Sequence, residues 1–147
     1  MSRVLSLAVM TAFLLGTHSA FARDDRNMYP LEDALNTPDA KEKLDPSIRL
    51  YFGNQKHPKV VSDLGEWKTN KKTNAFNKSD KEACEWVFLS AVLELQERAQ
   101  KEGGNAVINI VSNYKNVERS SDTEYMCGNG ALMSGVAFKG KVVKLAK

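Results

Sequence analysis

The most constraining feature of the chain is the stretch from Ser79 to Gly104. Ser79-Asp80-Lys81-Glu82 has the form of a capping box, in which the Ser side chain accepts from a free N–H of the first turn and the Glu reaches back. Cys84, Val87, Phe88, Ala91, Leu95 and Ala99 then recur at three- and four-residue steps, and Trp86, Leu89 and Leu93 widen that face. Glu94–Arg98 and Glu97–Lys101 place acid before base four apart on the wet side. Gly103-Gly104 stops the run. The pattern predicts one long helix over 80–102 with an apolar stripe that needs a second layer to cover it.

The flanking segments read as strands. Ile48, Leu50 and Phe52 alternate with Arg49 and Tyr51; Val60-Val61 and a weaker stretch from Glu66 to Phe76 follow, the latter a loop or an edge strand. Beyond the helix, Asn105 to Tyr114 predicts a strand with Ala106, Ile108 and Ile110 on one face and Val107, Asn109 and Val111 on the other. Tyr125 to Leu145 is one long broken strand or two. Its parity puts Leu132, Val136, Phe138 and Val142 together and Cys127 opposite, so a bulge or bend at Gly128-Asn129-Gly130 is expected if Cys127 faces the helix; Gly135 and Gly140 are further candidate bends. The expected fold is α+β: a small antiparallel or mixed sheet packed on one main helix, with one disulfide.

Ahead of this, Met1 to Ala22 reads as a secretory signal peptide. Arg3 gives a positive start, Val4 to Leu15 is an apolar run, and Ala20-Phe21-Ala22 supplies the small-x-small cleavage pattern. The run as a helix covers about 18 Å, short of a bilayer core, and no Cys at the cleavage point suggests lipid attachment. Residues 23–46 read as a polar extension with short helices at Leu31–Leu35 and after Thr37-Pro38-Asp39, an N-cap with Pro at the first position. Asp24-Asp25 and Glu32-Asp33 read there as solvated charge. Residues 47–147 form the single α+β domain. The expected location is periplasmic or secreted, after cleavage following Ala22.

Export gives the two cysteines their meaning. In an oxidising compartment Cys84 and Cys127 most simply form one disulfide, for which the loop-entropy argument gives about 4 kcal/mol. A redox-active or metal-binding pair is the alternative, although the chain has no CxxC and, after cleavage, His57 is its one histidine.

Composition narrows the function. With 147 residues, 27% of them charged, and 21 Lys+Arg against 18 Asp+Glu, this is an ordinary globular chain whose charge makes no case for nucleic acid. His57 lies in a Lys56-His57-Pro58 loop and reads as a solvated histidine rather than a base. Lys68, Lys71, Lys72, Lys78 and Lys81, interleaved with Trp67 and Phe76, read as a solvated edge diluted by Asp80, Glu82 and Glu85, with an anionic glycan or lipid head group as the rival ligand. Gly103-Gly104 precedes a strand, so it is no phosphate loop. No catalytic residue, cofactor or metal is expected, and no membrane span.

The helix end Arg98 to Gly104, the strand entry Asn105-Ala106-Val107-Ile108, the run Cys127 to Leu132 and the late strand Gly135 to Val143 together resemble the superfamily of small α+β domains that contains the YbjQ-like domains and the stress-sensor lipoprotein of the Rcs phosphorelay. The chain also resembles secreted proteobacterial proteins. The resemblance implies that Cys84–Cys127 corresponds to one of the sensor's bridges, and it carries over no catalytic residue. The expected function is a non-catalytic envelope interaction or sensing module with an unknown envelope protein as partner; a periplasmic carrier of a small ligand or metal is the alternative.

Overall fold

The computed structural model describes residues 22–147; the signal assignment lies outside the described residues except for Ala22. A curled, mixed six-stranded sheet packs one face on a single long helix, the α+β arrangement with more strand than the sequence promises. In chain order the elements are β1 (Asp25–Pro30), α1 (Leu31–Leu35), α2 (Pro38–Lys43), β2 (Arg49–Phe52), β3 (Val60–Asn74), α3 (Asp80–Glu102), β4 (Ala106–Ser112), β5 (Glu124–Asn129) and β6 (Met133–Leu145). A 3-10 turn at Tyr114–Asn116 lies between β4 and β5.

The hub is β6. Antiparallel β3 runs along one of its edges, while the other is shared between β5 at its start and β4 along the remainder. β5 in turn carries β1, antiparallel, and β4 carries β2, the one parallel pair.

Helix α3 forms where its caps and stripe predict. Ser79 Oγ accepts from the Glu82 N–H at 3.1 Å, and Gly103 closes the far end at φ 78°, a left-handed conformation that favours glycine. Cys84, Val87, Phe88, Ala91, Leu95 and Ala99 are all buried, with Val136, Phe138 and Val142 of β6 among the residues they pack against. Phe88 lies at the centre, its ring 4.6 Å from Tyr125, 5.7 Å from Phe138 and 5.9 Å from Phe52. Buried Gln96 ties the helix to the approach to β2: its amide donates to Asp45 O (3.0 Å) and Ile48 O (2.7 Å) and accepts from the Asp45 N–H (3.0 Å).

Several expectations need correction. Residues 25–30 are not loose chain: they pair residue for residue with β5, from Asp25–Asn129 to Pro30–Glu124. The acids beside them are engaged, Asp24 with Lys115 (2.7 Å) and Asp33 with Lys81 (2.6 Å). β3 is one fifteen-residue strand, kept continuous by two irregularities, the second at Gly65 with φ 112°.

The strict alternation expected of β4 fails at Asn109, whose φ of 48° inserts an extra residue opposite β6. Ile110 therefore joins Val107 in the main core, while Ala106 and Ile108 pack in a smaller cluster with Val143 and Leu145. Cys127 needs no bulge to face the helix. β5 and β6 are separate strands of a hairpin in which Gly128 pairs Gly135, so Cys127 shares a face with Val136 although their numbers differ in parity. Leu132 sits in that hairpin's turn and is exposed rather than in the core.

On the wet side of α3, Glu94 does not pair with Arg98. It takes Lys71 Nζ (2.7 Å) and the Thr69 hydroxyl (2.7 Å) from β3, and Arg98 lies over the Trp67 ring at 4.1 Å. Burial pushes the Glu94 carboxyl up, but Lys71 and Thr69 outweigh it and leave it below the ordinary value of 4.5. A depressed carboxyl contributes fully above its unfolded value and loses that contribution as pH falls through the folded one. The pair is half-exposed, so Glu94→Gln should cost only a few tenths of a kcal/mol at neutral pH and flatten the acid limb of a stability–pH curve below pH 4.5.

Tyr125 is fully buried and its hydroxyl has no partner among the described residues. Burial pushes its phenol pKa far up. A buried hydroxyl without a partner costs free energy, so Tyr125→Phe should raise stability by roughly 1 kcal/mol. Denaturant unfolding checks this, and a clear loss of stability would show that the hydroxyl is satisfied.

Candidate functional site

The cysteine pair lies where α3 crosses β5. Cys84 and Cys127 are bridged, with Cα atoms 5.9 Å apart, and both are fully buried. The neighbouring polar group is Asn129, also fully buried; its Oδ1 accepts from Ser134 Oγ (3.0 Å) and its Nδ2 donates to Tyr29 Oη (3.3 Å). Cys84 Sγ lies 3.1 Å from the same Oδ1. Bridged sulfur has no proton to give, so this is a close contact; on reduction it becomes a thiol donor facing an acceptor. The pair is enclosed, whereas reactive thiols sit at partly exposed positions. Its chemistry here is that of a staple between the helix start and the sheet.

His57 donates through Nδ1–H to Pro58 O (2.7 Å) and sets its ring edge against Tyr51 (5.6 Å). Among the described residues, no group of three or more His, Cys, Asp or Glu side chains is arranged to hold a metal ion.

The lysines singled out in the sequence do not form one patch. Strand geometry sends Lys71 to the helix side and Lys68 and Lys72 to the outer side, where they lie opposite Lys139 and Gly135. Lys81 is held by Asp33 (2.6 Å), and Lys78 reaches back to Asn74 O (3.4 Å). Trp67 is covered by Arg98, and Phe76 projects from the far end of β3.

That end of the sheet carries an exposed apolar tip. Phe76 is 65% exposed, Leu132 63% and Met133 46%. They are brought together because the Ala75 N–H donates to Leu132 O (2.8 Å) and Asn74 pairs Met133, which fastens the β3–α3 turn to the β5–β6 hairpin. A second surface feature is a groove of about 320 Å³ between α2 and the first half of α3, lined by Thr37, Asp39, Glu82, Glu85, Trp86 and Leu89. Trp86, expected to widen the packed face of the helix, is instead 45% exposed at this groove, with Lys43 Nζ 4.9 Å from its ring centre.

Compared with known proteins, the chain matches no family model, no curated protein and no solved structure. Sequence reasoning found the bridge and the exposed Phe76, and it missed two things. Asn129 looked like a turn residue because it sits between two glycines, yet it is the buried polar centre beside the bridge. Leu132 looked like strand core, and its exposure follows only once the hairpin turn is known.

Proposed function

We propose that the chain is an exported, disulfide-bonded interaction or sensing module of the cell envelope that acts by binding rather than by catalysis. The observation that carries this reading is the bridge Cys84–Cys127, buried and tying α3 to β5, because structural disulfides form and persist in oxidising compartments. The signal-like segment from Met1 to Ala22 supports the same location. So does the resemblance of the Asn105–Ile108 and Cys127–Leu132 motifs to the YbjQ-like and Rcs-sensor domains. The tip formed by Phe76, Leu132 and Met133 is the surface best suited to a protein partner, since clustered exposed apolar side chains mark interaction sites.

Two measurements test the proposal. Intact mass of protein taken from the periplasm or medium should give an N-terminus at Arg23, with both cysteines resistant to alkylation before reduction. An N-terminus at Met1 or two free thiols would sink the export argument. Capture of envelope proteins by the mature chain should fail with Phe76→Ser/Leu132→Ser and persist with His57→Ala. Loss of biological effect in a folded His57→Ala protein would instead promote a catalytic reading. The carrier reading is favoured by the groove beside Trp86, which has the concavity a small ligand needs.

A further inference from the structure

The outer face of the sheet, turned away from α3, carries an unbalanced cation. Lys68 of β3 lies directly opposite Lys139 of β6, an arrangement of like charges that is unfavourable unless compensated. Lys139 is compensated by Glu118 and, at 3.8 Å, Glu66; Lys141 by Asp63 at 3.5 Å. Among the described residues no carboxylate lies within ion-pair distance of Lys68.

Beside Lys68 the face sinks into a groove of about 260 Å³. The sheet provides Asn70 and its partner Ala137, whose small side chain forms the floor. The turn after β4 provides the facing wall with Asn113, Lys115 and Asn116. No carboxylate lines the groove.

Asn113 is only 8% exposed, and its backbone is fully used: its N–H donates to Ala137 O (2.8 Å) and its carbonyl accepts from the Asn116 N–H (3.1 Å). Asn113 lines the groove, and its side-chain polar atoms stay accessible there rather than sealed in the core.

The wall is also held in an unusual backbone conformation. Lys115 (φ 51°) and Asn116 (φ 61°) are consecutive left-handed residues, neither of them glycine. Such residues persist where the surroundings impose them, and they gather at binding sites. The imposing contacts are visible: Lys115 Nζ is pinned by Asp24 (2.7 Å) beside the Tyr114 ring, and Tyr114 packs over Gly128, where a Cβ would meet the ring at 2.2 Å.

We propose that this groove binds a small oxyanion, a carboxylate or phosphate on a hydroxyl-bearing molecule such as a sugar acid or sugar phosphate. Lys68 supplies the counter-charge, and the amides of Asn70, Asn113 and Asn116 supply neutral donors. An oxyanion accepts from several donors at once, and hydrogen bonds to a charged partner are the strong ones. The amide oxygens of the same asparagines accept from hydroxyls next to the anion, which selects a hydroxylated carrier over a bare acyl chain. This site is separate from the apolar tip, and its test does not depend on export.

The test is a titration of the isotopically labelled mature protein, followed by amide NMR, with sodium glucuronate and separately with inorganic phosphate, each against sodium chloride at matched ionic strength. Saturable shifts confined to residues 68–70, 113–116 and 137 are expected. Lys68→Gln should weaken binding by about tenfold, while Lys72→Gln, on the same face and outside the groove, should leave it unchanged. Tighter glucuronate binding identifies a sugar acid as the ligand class, and tighter phosphate binding a phosphate ester. Absence of saturable shifts with either probe, or equal weakening by Lys68→Gln and Lys72→Gln, would overturn the proposal. Lys68 is exposed, so its substitution tests the groove without testing the fold.

Discussion

Replacing both Cys84 and Cys127 with alanine should lower the unfolding free energy by about 4 kcal/mol, with a range of roughly 2–5. The bridge spans 43 residues and ties the start of α3 to β5, so in the unfolded chain it closes a long loop and removes much of that ensemble's freedom. Both side chains are fully buried, so lost packing adds to the lost cross-link. Serine is a sharper probe of the surroundings. A hydroxyl at 84 faces Asn129 Oδ1, whereas the nearest acceptor at 127 is Gly128 O, 3.8 Å from the sulfur. Compared with the double-alanine protein, Cys84→Ser/Cys127→Ala should therefore be better tolerated than Cys84→Ala/Cys127→Ser, by about 1 kcal/mol. Secondary structure in buffer should survive in every variant, because the apolar layer between α3 and the sheet is untouched. An unfolding midpoint unchanged from the bridged protein would show that the pair is no staple and would make redox or metal chemistry its leading role.

Phe88→Ala should be comparably severe, at about 3–5 kcal/mol. Phe88 is fully buried between Phe52, Tyr125 and Phe138, which come from β2, β5 and β6, so one truncation opens a void shared by three strands and the helix. The edge-to-face contact with Phe138, with rings at 89°, is lost together with the buried area. Phe88→Leu refills most of that volume and should cost much less. Denaturant unfolding of the two proteins separates the effects; a loss below about 1 kcal/mol for Phe88→Ala would mean that the site collapses around the void.

What the sequence discloses here depends on whether the signal is local. α3 was legible to the residue because both its ends are written in short-range chemistry, Ser79 at the start and Gly103 at the end. The start of α2 was legible for the same reason, with Thr37 accepting from the Ala40 N–H as its N-cap position predicts. β1 was not, because Asp25-Arg26-Asn27-Met28-Tyr29-Pro30 has no clear alternation, and its place depends on an edge of β5 far along the chain. The face of Ile110 turned on a single residue, Asn109, whose left-handed backbone reverses the parity beyond it. The outer groove is the least legible feature. Lys68, Asn70 and Asn113 to Asn116 are ordinary polar residues on two distant segments, and only the pairing of β3 with β6 beneath the turn after β4 brings them together.

The place of β6 at the hub governs the order in which the molecule can assemble. β3, β4 and β5 all precede it along the chain and all pair with it, and none of the three forms a strand ladder with another of them. Until Met133–Leu145 is available, α3 has no completed surface to lie against, and the pieces of the sheet remain a hairpin's worth of chain at most. The sheet therefore closes only when Met133–Leu145 joins it. A chain whose sheet depends on one late strand stays extensible until that strand arrives and then closes in a single cooperative step.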